Sequence, residues 1–316
     1  MKKFFVIAVF MITATSAFAL SKDSSYREAR KSGALAKIKI HIVDDLGHDV
    51  SNADISVFFG MNFRPNGYYL KGVTDTNGMF IAEGETCGDE ILIDVRKHGF
   101  YNSVKKLCFA KMGAEHKVKD NKWLPFNEIE KITLRKIEKP ITLTAFNKLI
   151  DVAYTNKWIG FDMENKDFIN PFGCGKNKDF EIKVEWDGLP AWKSKSCSMD
   201  VRFMQAETGG LYVNNVLESE FPYIYRAQPD AIYGQRFIRI VNRNGDPYVT
   251  AIPFAQDSAL VTRTRCVIDA NGKVKAANFG CIRRLEISPS RRGVALLRLS
   301  YIFNPTPNDT NLEPKR

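Results

Sequence analysis

Between Ala36 and Phe109 the chain alternates apolar and polar residues in short bursts, and this period of two limits the possible folds more than any other feature. Ile38-Lys39-Ile40-His41-Ile42-Val43 is the clearest run; Ala53-Asp54-Ile55-Ser56-Val57-Phe58-Phe59 and Ile91-Leu92-Ile93-Asp94-Val95 follow it. Successive side chains of a strand point to opposite faces, so such runs describe half-buried strands. Asp, Asn or Gly closes each one, at Asp44-Asp45-Leu46-Gly47, Asp75-Thr76-Asn77-Gly78 and His98-Gly99. Glu130–Ile137 alternates again and reads as a closing strand. Lys139-Pro140 then ends the domain, because proline removes a ladder donor. The expectation is a β-sandwich over residues 36–139.

Two spaced patterns sharpen this reading. Asp44 to Val57 fits D-x-x-G-x-x-V-x-x-A-x-I-x-V, and Thr74 to Phe80 fits T-D-x-x-G-x-F. Asp44 and Gly47 suit a hairpin turn, Ala53 is small where strands cross, and Asp75 can bond the backbone two residues on. Gly78 supplies a positive φ. The pair of patterns resembles the carboxypeptidase regulatory-like domain, a transthyretin-like β-sandwich. The resemblance covers about a third of the chain and implies a scaffold, whose presence names no activity.

The second part, 140–303, repeats the strand signal. Strands are expected at Phe180–Trp186, Ser198–Met204, Gly210–Val216, Gln235–Asn242, Tyr248–Phe254, Ala259–Ile268, Lys273–Phe279 and Ala295–Phe303. Asn244-Gly245 and Asn271-Gly272 are hairpin turns by composition. Phe146, Leu149, Ile150 and Val152 are spaced for one face of a short helix. The fold class is therefore all-β: a transthyretin-like sandwich followed by a second sandwich or jelly roll. Residues 304–316 read as an irregular tail. Phe161–Phe180 and the ending Phe303–Asp309 resemble the C-terminal parts of uncharacterised secreted bacterial proteins, with which no activity travels.

The first nineteen residues read as an export signal: Lys2-Lys3, an apolar Phe4–Ile12 and a small-x-small Ala17-Phe18-Ala19. Cleavage after Ala19 would leave Leu20 as the first residue of a periplasmic or extracellular protein. The apolar run is too short to span a bilayer, and no later stretch approaches that length. Residues 20–35 read as a linker or short exposed helix. Six cysteines suit an oxidising compartment. Strand pairing around His98-Gly99 would set Cys108 opposite Ile91, near enough to Cys87 for a Cys87–Cys108 bond. A hairpin at Asn271-Gly272 instead separates Cys266 from Cys281. Those two are expected to bond with Cys174 and Cys197 or to stay reduced.

Composition rules out several chemistries. All four histidines, His41, His48, His98 and His116, precede residue 140. That excludes a Ser-His-Asp triad or a His-ligated zinc in the second part. There is no H-x-x-E, so a metallocarboxypeptidase site is absent, and no metal or cofactor is expected. Glu181, Glu185 and Asp187 are the carboxylates a glycan hydrolase would draw on, although Lys183 shares their face. Trp186 and Trp192 frame a proline loop and read either as core packing or as a platform for sugar rings. Charge is uneven. Residues 226–298 hold eleven arginines and two lysines against five acids, whereas 140–225 hold nine basic and twelve acidic residues. Arg263, Arg265, Arg283 and Arg284 therefore read either as strand-face cover or as a binding face for an anionic envelope glycan or an acidic protein. Nucleic acid is not expected beside an export signal and without a fold signature. The reading is a non-enzymatic binding or structural protein of the bacterial envelope; the alternative is a carboxylate-based glycan hydrolase in the second domain.

Overall fold

The structure is a computed structural model describing residues 24–60, 67–109, 117–153, 156–189, 193–194, 196–214, 219–234, 237–243, 258–290 and 294–315. The first nineteen residues, Trp192 and the Tyr248–Phe254 run lie outside these residues. The chain is nearly all β, and it divides into two compact units. One comprises Met1–Ile137 with Glu218–Phe221, the other Glu138–Leu217 with Pro222–Arg316.

In the first unit, helix 24–32 precedes β1 (Ala34–Asp44), β2 (Asp54–Phe59), β3 (Tyr68–Val73), β4 (Met79–Thr86) and β5 (Glu90–Arg96). Then come β6 (Ser103–Cys108), β7 (Val118–Lys119), β8 (Lys122–Trp123) and β9 (Glu128–Leu134). One sheet runs β4-β1-β8-β7, with β9 also paired to β1; the other runs β3-β2-β5-β6. Ile38, Ile40 and Ile42 of β1, Ile55, Val57 and Phe59 of β2, and Ile91, Ile93 and Val95 of β5 all enter one core. The period of two thus fixes which faces meet, and the two sheets form a sandwich. Within segment 20–35 the described helix 24–32 is mostly exposed, while its Ala29 is buried in that core. Trp123 is fully buried beneath it, with its indole N–H donating to Thr86 O at 2.8 Å.

The two patterned turns lock onto each other. Asp44 Oδ1 accepts the N–H groups of Leu46 and His48, at 2.9 and 2.8 Å. Asp75 Oδ1 accepts those of Asn77 and Met79, also at 2.9 and 2.8 Å. Gly78 has φ +68°, and a Cβ there would lie 2.4 Å from Ile42 O. Thr74, buried, donates to Val50 O and accepts from Ala53 N. Small and left-handed residues therefore sit where one turn passes against the other.

The second unit contains β10 (Thr144–Val152), β11 (Trp158–Asp162), β12 (Asp167–Phe168), β13 (Phe180–Trp186) and β14 (Ser196–Arg202). It continues with β15 (Gly209–Asn214), β16 (Phe237–Arg243), β17 (Ser258–Ile268), β18 (Val274–Pro289) and β19 (Ala295–Asn304). Its sheets are β10-β19-β18-β17-β15 and β12-β11-β13-β14-β16. A core rich in Phe, Leu and Ile draws on strands of both. A second cluster, with Val261, Phe279, Cys281, Tyr233 and Leu312, draws on β17 and β18 of the first sheet. Alternate residues of these strands supply the two clusters, so both faces of that sheet are buried here.

Two expectations are corrected. The segment expected as a helix is β10, paired antiparallel with β19 from Thr144↔Phe303 to Val152↔Ala295. Phe146 and Val152 point inward while Leu149 is exposed, as a strand requires. No disulfide is seen among the six cysteines, the expected Cys87–Cys108 pair included. The β5–β6 register sets Cys108 opposite Glu90, one residue from the expected partner. Cys87 instead is buried, with its sulfur 3.8 Å from Lys31 O of the helix, while Cys108 is exposed. Cys281 pairs in register with Val261, five residues from Cys266.

Candidate functional site

The four arginines marked by sequence do not make one face. Arg263 is buried: its Nε donates to Glu207 O at 2.8 Å, its Nη1 to Pro229 O at 2.9 Å, and its guanidinium lies 4.4 Å from the Tyr233 ring centre. Arg265 has φ +53° within a bulge and reaches inward. It clasps Asp179 through two bonds of 2.8 and 2.9 Å, and also meets Asp162 at 3.1 Å and Glu164. Arg283 and Arg284 are exposed on β18. Arg263 pairs with Phe279 and Arg284 with Ser300, so five residues of β18, roughly 16 Å, separate the two positions. Trp186 is half-buried against the core and donates to Leu189 O at 3.0 Å. Trp192 lies outside the described residues.

The carboxylates on and just after β13 are engaged one by one. Glu181 is buried between Lys178 and Arg202, at 2.8 and 2.7 Å. Burial works to raise its pKa, but the bonds from Lys178 and Arg202 outweigh it and the net shift is downward. Glu185 pairs with Lys183 at 2.8 Å, and Asp187 caps its own turn at Leu189 N. Among the described residues, no group of three or more His, Cys, Asp or Glu is arranged to hold a metal ion. No described helix is long and apolar enough to cross a membrane.

A different site emerges on the outer face of β3-β2-β5-β6. The core takes Ile55, Val57 and Phe59 of β2, so Asp54, Ser56 and Phe58 turn outward. Register then builds rows across the sheet. Lys71, Ser56 and Asp94 form one row, Tyr69, Phe58 and Leu92 the next, and Asp54 lies beside Arg96. Ser56 is the small residue between larger neighbours, and there the surface opens into a groove of about 490 Å³. Tyr69 forms part of its wall, 60% exposed, with its ring 4.9 Å from that of Phe58. Arg96 holds Asp94 in a two-point pair, Nε to Oδ1 at 3.1 Å and Nη2 to Oδ2 at 2.8 Å. Asp54, Ser56 and Lys71 make no side-chain hydrogen bond among the described residues. Sequence reasoning passed over these residues. The polar half of each alternating run was the available signal, but β3, which closes the groove, carries little alternation of its own.

The second unit has a cavity of about 440 Å³ lined by Glu207, Asp230, Arg263, Lys273 and Asn308. Its charged centre is committed inward, since Arg263 is already bonded to Glu207 and the 229–231 backbone. Asn308 likewise spends its amide on Ala277 N and Lys275 O.

The sequence matches no protein-family model and no curated protein. Part of the chain is similar to the solved 3-chlorocatechol 1,2-dioxygenase of Rhodococcus opacus 1CP, at 15% identity and a TM-score of 0.26, over 34% of this chain and 61% of that one. The catechol 1,2-dioxygenase of Acinetobacter radioresistens aligns at 12% identity and a TM-score of 0.27, over 35% and 55%. The chain spans less than two thirds of either dioxygenase, and a likeness this slight carries no argument about fold or chemistry.

Proposed function

We propose that this chain is a non-enzymatic binding protein of the bacterial envelope, exported by its N-terminal segment, with its ligand site on the outer face of β3-β2-β5-β6. The observation that carries the reading is the groove at Ser56, where three polar side chains have no hydrogen-bond partner among the described residues. Binding sites are concave and set a few convergent polar groups among apolar and aromatic ones. In this reading the first unit is a carboxypeptidase regulatory-like sandwich that serves as the scaffold. The interlocked turns of Asp44 and Asp75 support that assignment. A glycan hydrolase in the second unit has less support. It needs two carboxyl groups facing one cleft, one with a raised pKa. Glu181 and Glu185 are each held by a cation, and the pKa of Glu181 is shifted down.

Co-sedimentation with purified envelope fractions tests the proposal. The exported protein should pellet with them and release no reducing sugar, and the double variant Asp54→Ala/Arg96→Ala should stay in solution. Sugar release abolished by Glu185→Gln would reverse the assignment.

A further inference from the structure

Resting on that reading, we infer that the groove takes a neutral glycan, engaging two adjacent sugars of a longer chain. The groove is balanced in charge. Asp54 and Asp94 offset Lys71 and Arg96, so the lining has no net charge. A polyanion would meet two carboxylates for every two cations and gain nothing from the field. The basic character of the chain as a whole is therefore not expressed at this site.

Its hydrogen-bonding groups suit sugar hydroxyls. A sugar hydroxyl both donates and accepts, so vicinal hydroxyls are best met by a carboxylate beside a guanidinium or ammonium group. The Asp94–Arg96 pair offers that combination already oriented, because its own two bonds fix both planes. Those bonds use two of the five guanidinium N–H groups, which leaves three for a ligand. The unbonded carboxylate of Asp54, hydroxyl of Ser56 and ammonium of Lys71 extend the same mixture across the groove.

Its shape suits a pyranose. Tyr69 presents an exposed ring, steadied by Phe58 and with Lys71 Nζ 6.0 Å from its centre. Such a ring stacks on the C–H face of a pyranose, and this contact is insensitive to charge. The row Lys71–Ser56–Asp94 crosses three strands, roughly 10 Å at the usual strand spacing, about two pyranose units end to end.

Calorimetric titration of the full exported chain decides the matter. The probes are the tetrasaccharides of cellulose, starch, β-mannan, β-galactan and chitin, with tetragalacturonate as the anionic counterpart. At least one neutral tetrasaccharide should bind. Its Kd should hold within twofold as salt rises from about 0.1 M to about 1 M, over which the screening length falls from roughly 10 Å to 3 Å. Tyr69→Ala and Asp54→Ala should each weaken it at least tenfold while the denaturation midpoint stays put, since both residues are exposed. Three results overturn the inference: binding of tetragalacturonate alone with a steep loss in salt, affinity unchanged in both variants, or no neutral binding at all. If neutral binding is lacking while envelope sedimentation still depends on Asp54 and Arg96, the binding-protein reading stands and its ligand is a protein or an anionic polymer.

Discussion

Asp162 concentrates more bonding than any other carboxylate described. Its Oδ1 accepts from Glu164 N, Asn165 N and Arg265, and its Oδ2 from Asn165 Nδ2, Lys176 N and Asn177 N. Burial works to raise its pKa, but the bonds from Asn165, Asn177 and Lys176 outweigh it and hold the value at about 2. The folded value lies below the unfolded 3.8. The resulting stability is therefore complete above pH 3.8 and lost as pH falls toward about 2. Asp162→Asn keeps the shape but turns an amide N–H toward N–H donors. It should destabilise the second unit by about 3–5 kcal/mol at neutral pH. About 2 kcal/mol of that difference should vanish between pH 4 and pH 2, as wild type takes up its proton. Urea titrations at several pH values check this; a difference flat across the range would mean the carboxylate is not charged in the fold. None of this was legible locally. Arg265 reads in sequence as a strand-face residue, and only the bulge and acids some hundred positions earlier give its side chain a destination.

Turns were the most legible elements, because their chemistry is local. Asp44 and Asp75 each bond backbone within four residues, so the pattern alone reveals them. Phe180–Trp186 likewise carries its own alternation and forms β13 with those bounds. By contrast, β10 has apolar residues at helical spacing and becomes a strand because β19 offers a ladder, a tertiary choice that overrides local preference. Tyr68–Val73 has two tyrosines, a glycine and no clear period, so β3 is recognisable only once β2 pairs with it, and the groove stayed hidden for the same reason. Glycines test the interlocked turns. Gly47→Ala meets only the cost of a left-handed alanine, about 1–2 kcal/mol, since a Cβ there contacts nothing within 4 Å. Gly78→Ala adds a Cβ 2.4 Å from Ile42 O and should cost distinctly more. Equal shifts in denaturation midpoint would show that the two turns do not press on each other.

At the scale of the molecule, the C-terminal tail is irregular in its backbone, yet it closes the second unit. Leu312 is fully buried, and Glu313 takes the N–H groups of Glu138 and Lys139 at 2.9 and 2.6 Å. Ile141 and Glu313 are bonded through their backbones, so the first and last segments of the unit hold each other. Ending the chain after Asp309 should lower stability by at least about 3 kcal/mol, through loss of a buried leucine and exposure of two N–H groups that Glu313 satisfies. An unchanged midpoint would show the tail to be passive. Amide shift mapping of the full chain with the neutral tetrasaccharides tests whether ligand meets the outer face of β3-β2-β5-β6. The largest shifts should fall on 54–58, 69–73 and 92–96; shifts centred instead on Trp186, or on Arg283 and Arg284, would contradict the account.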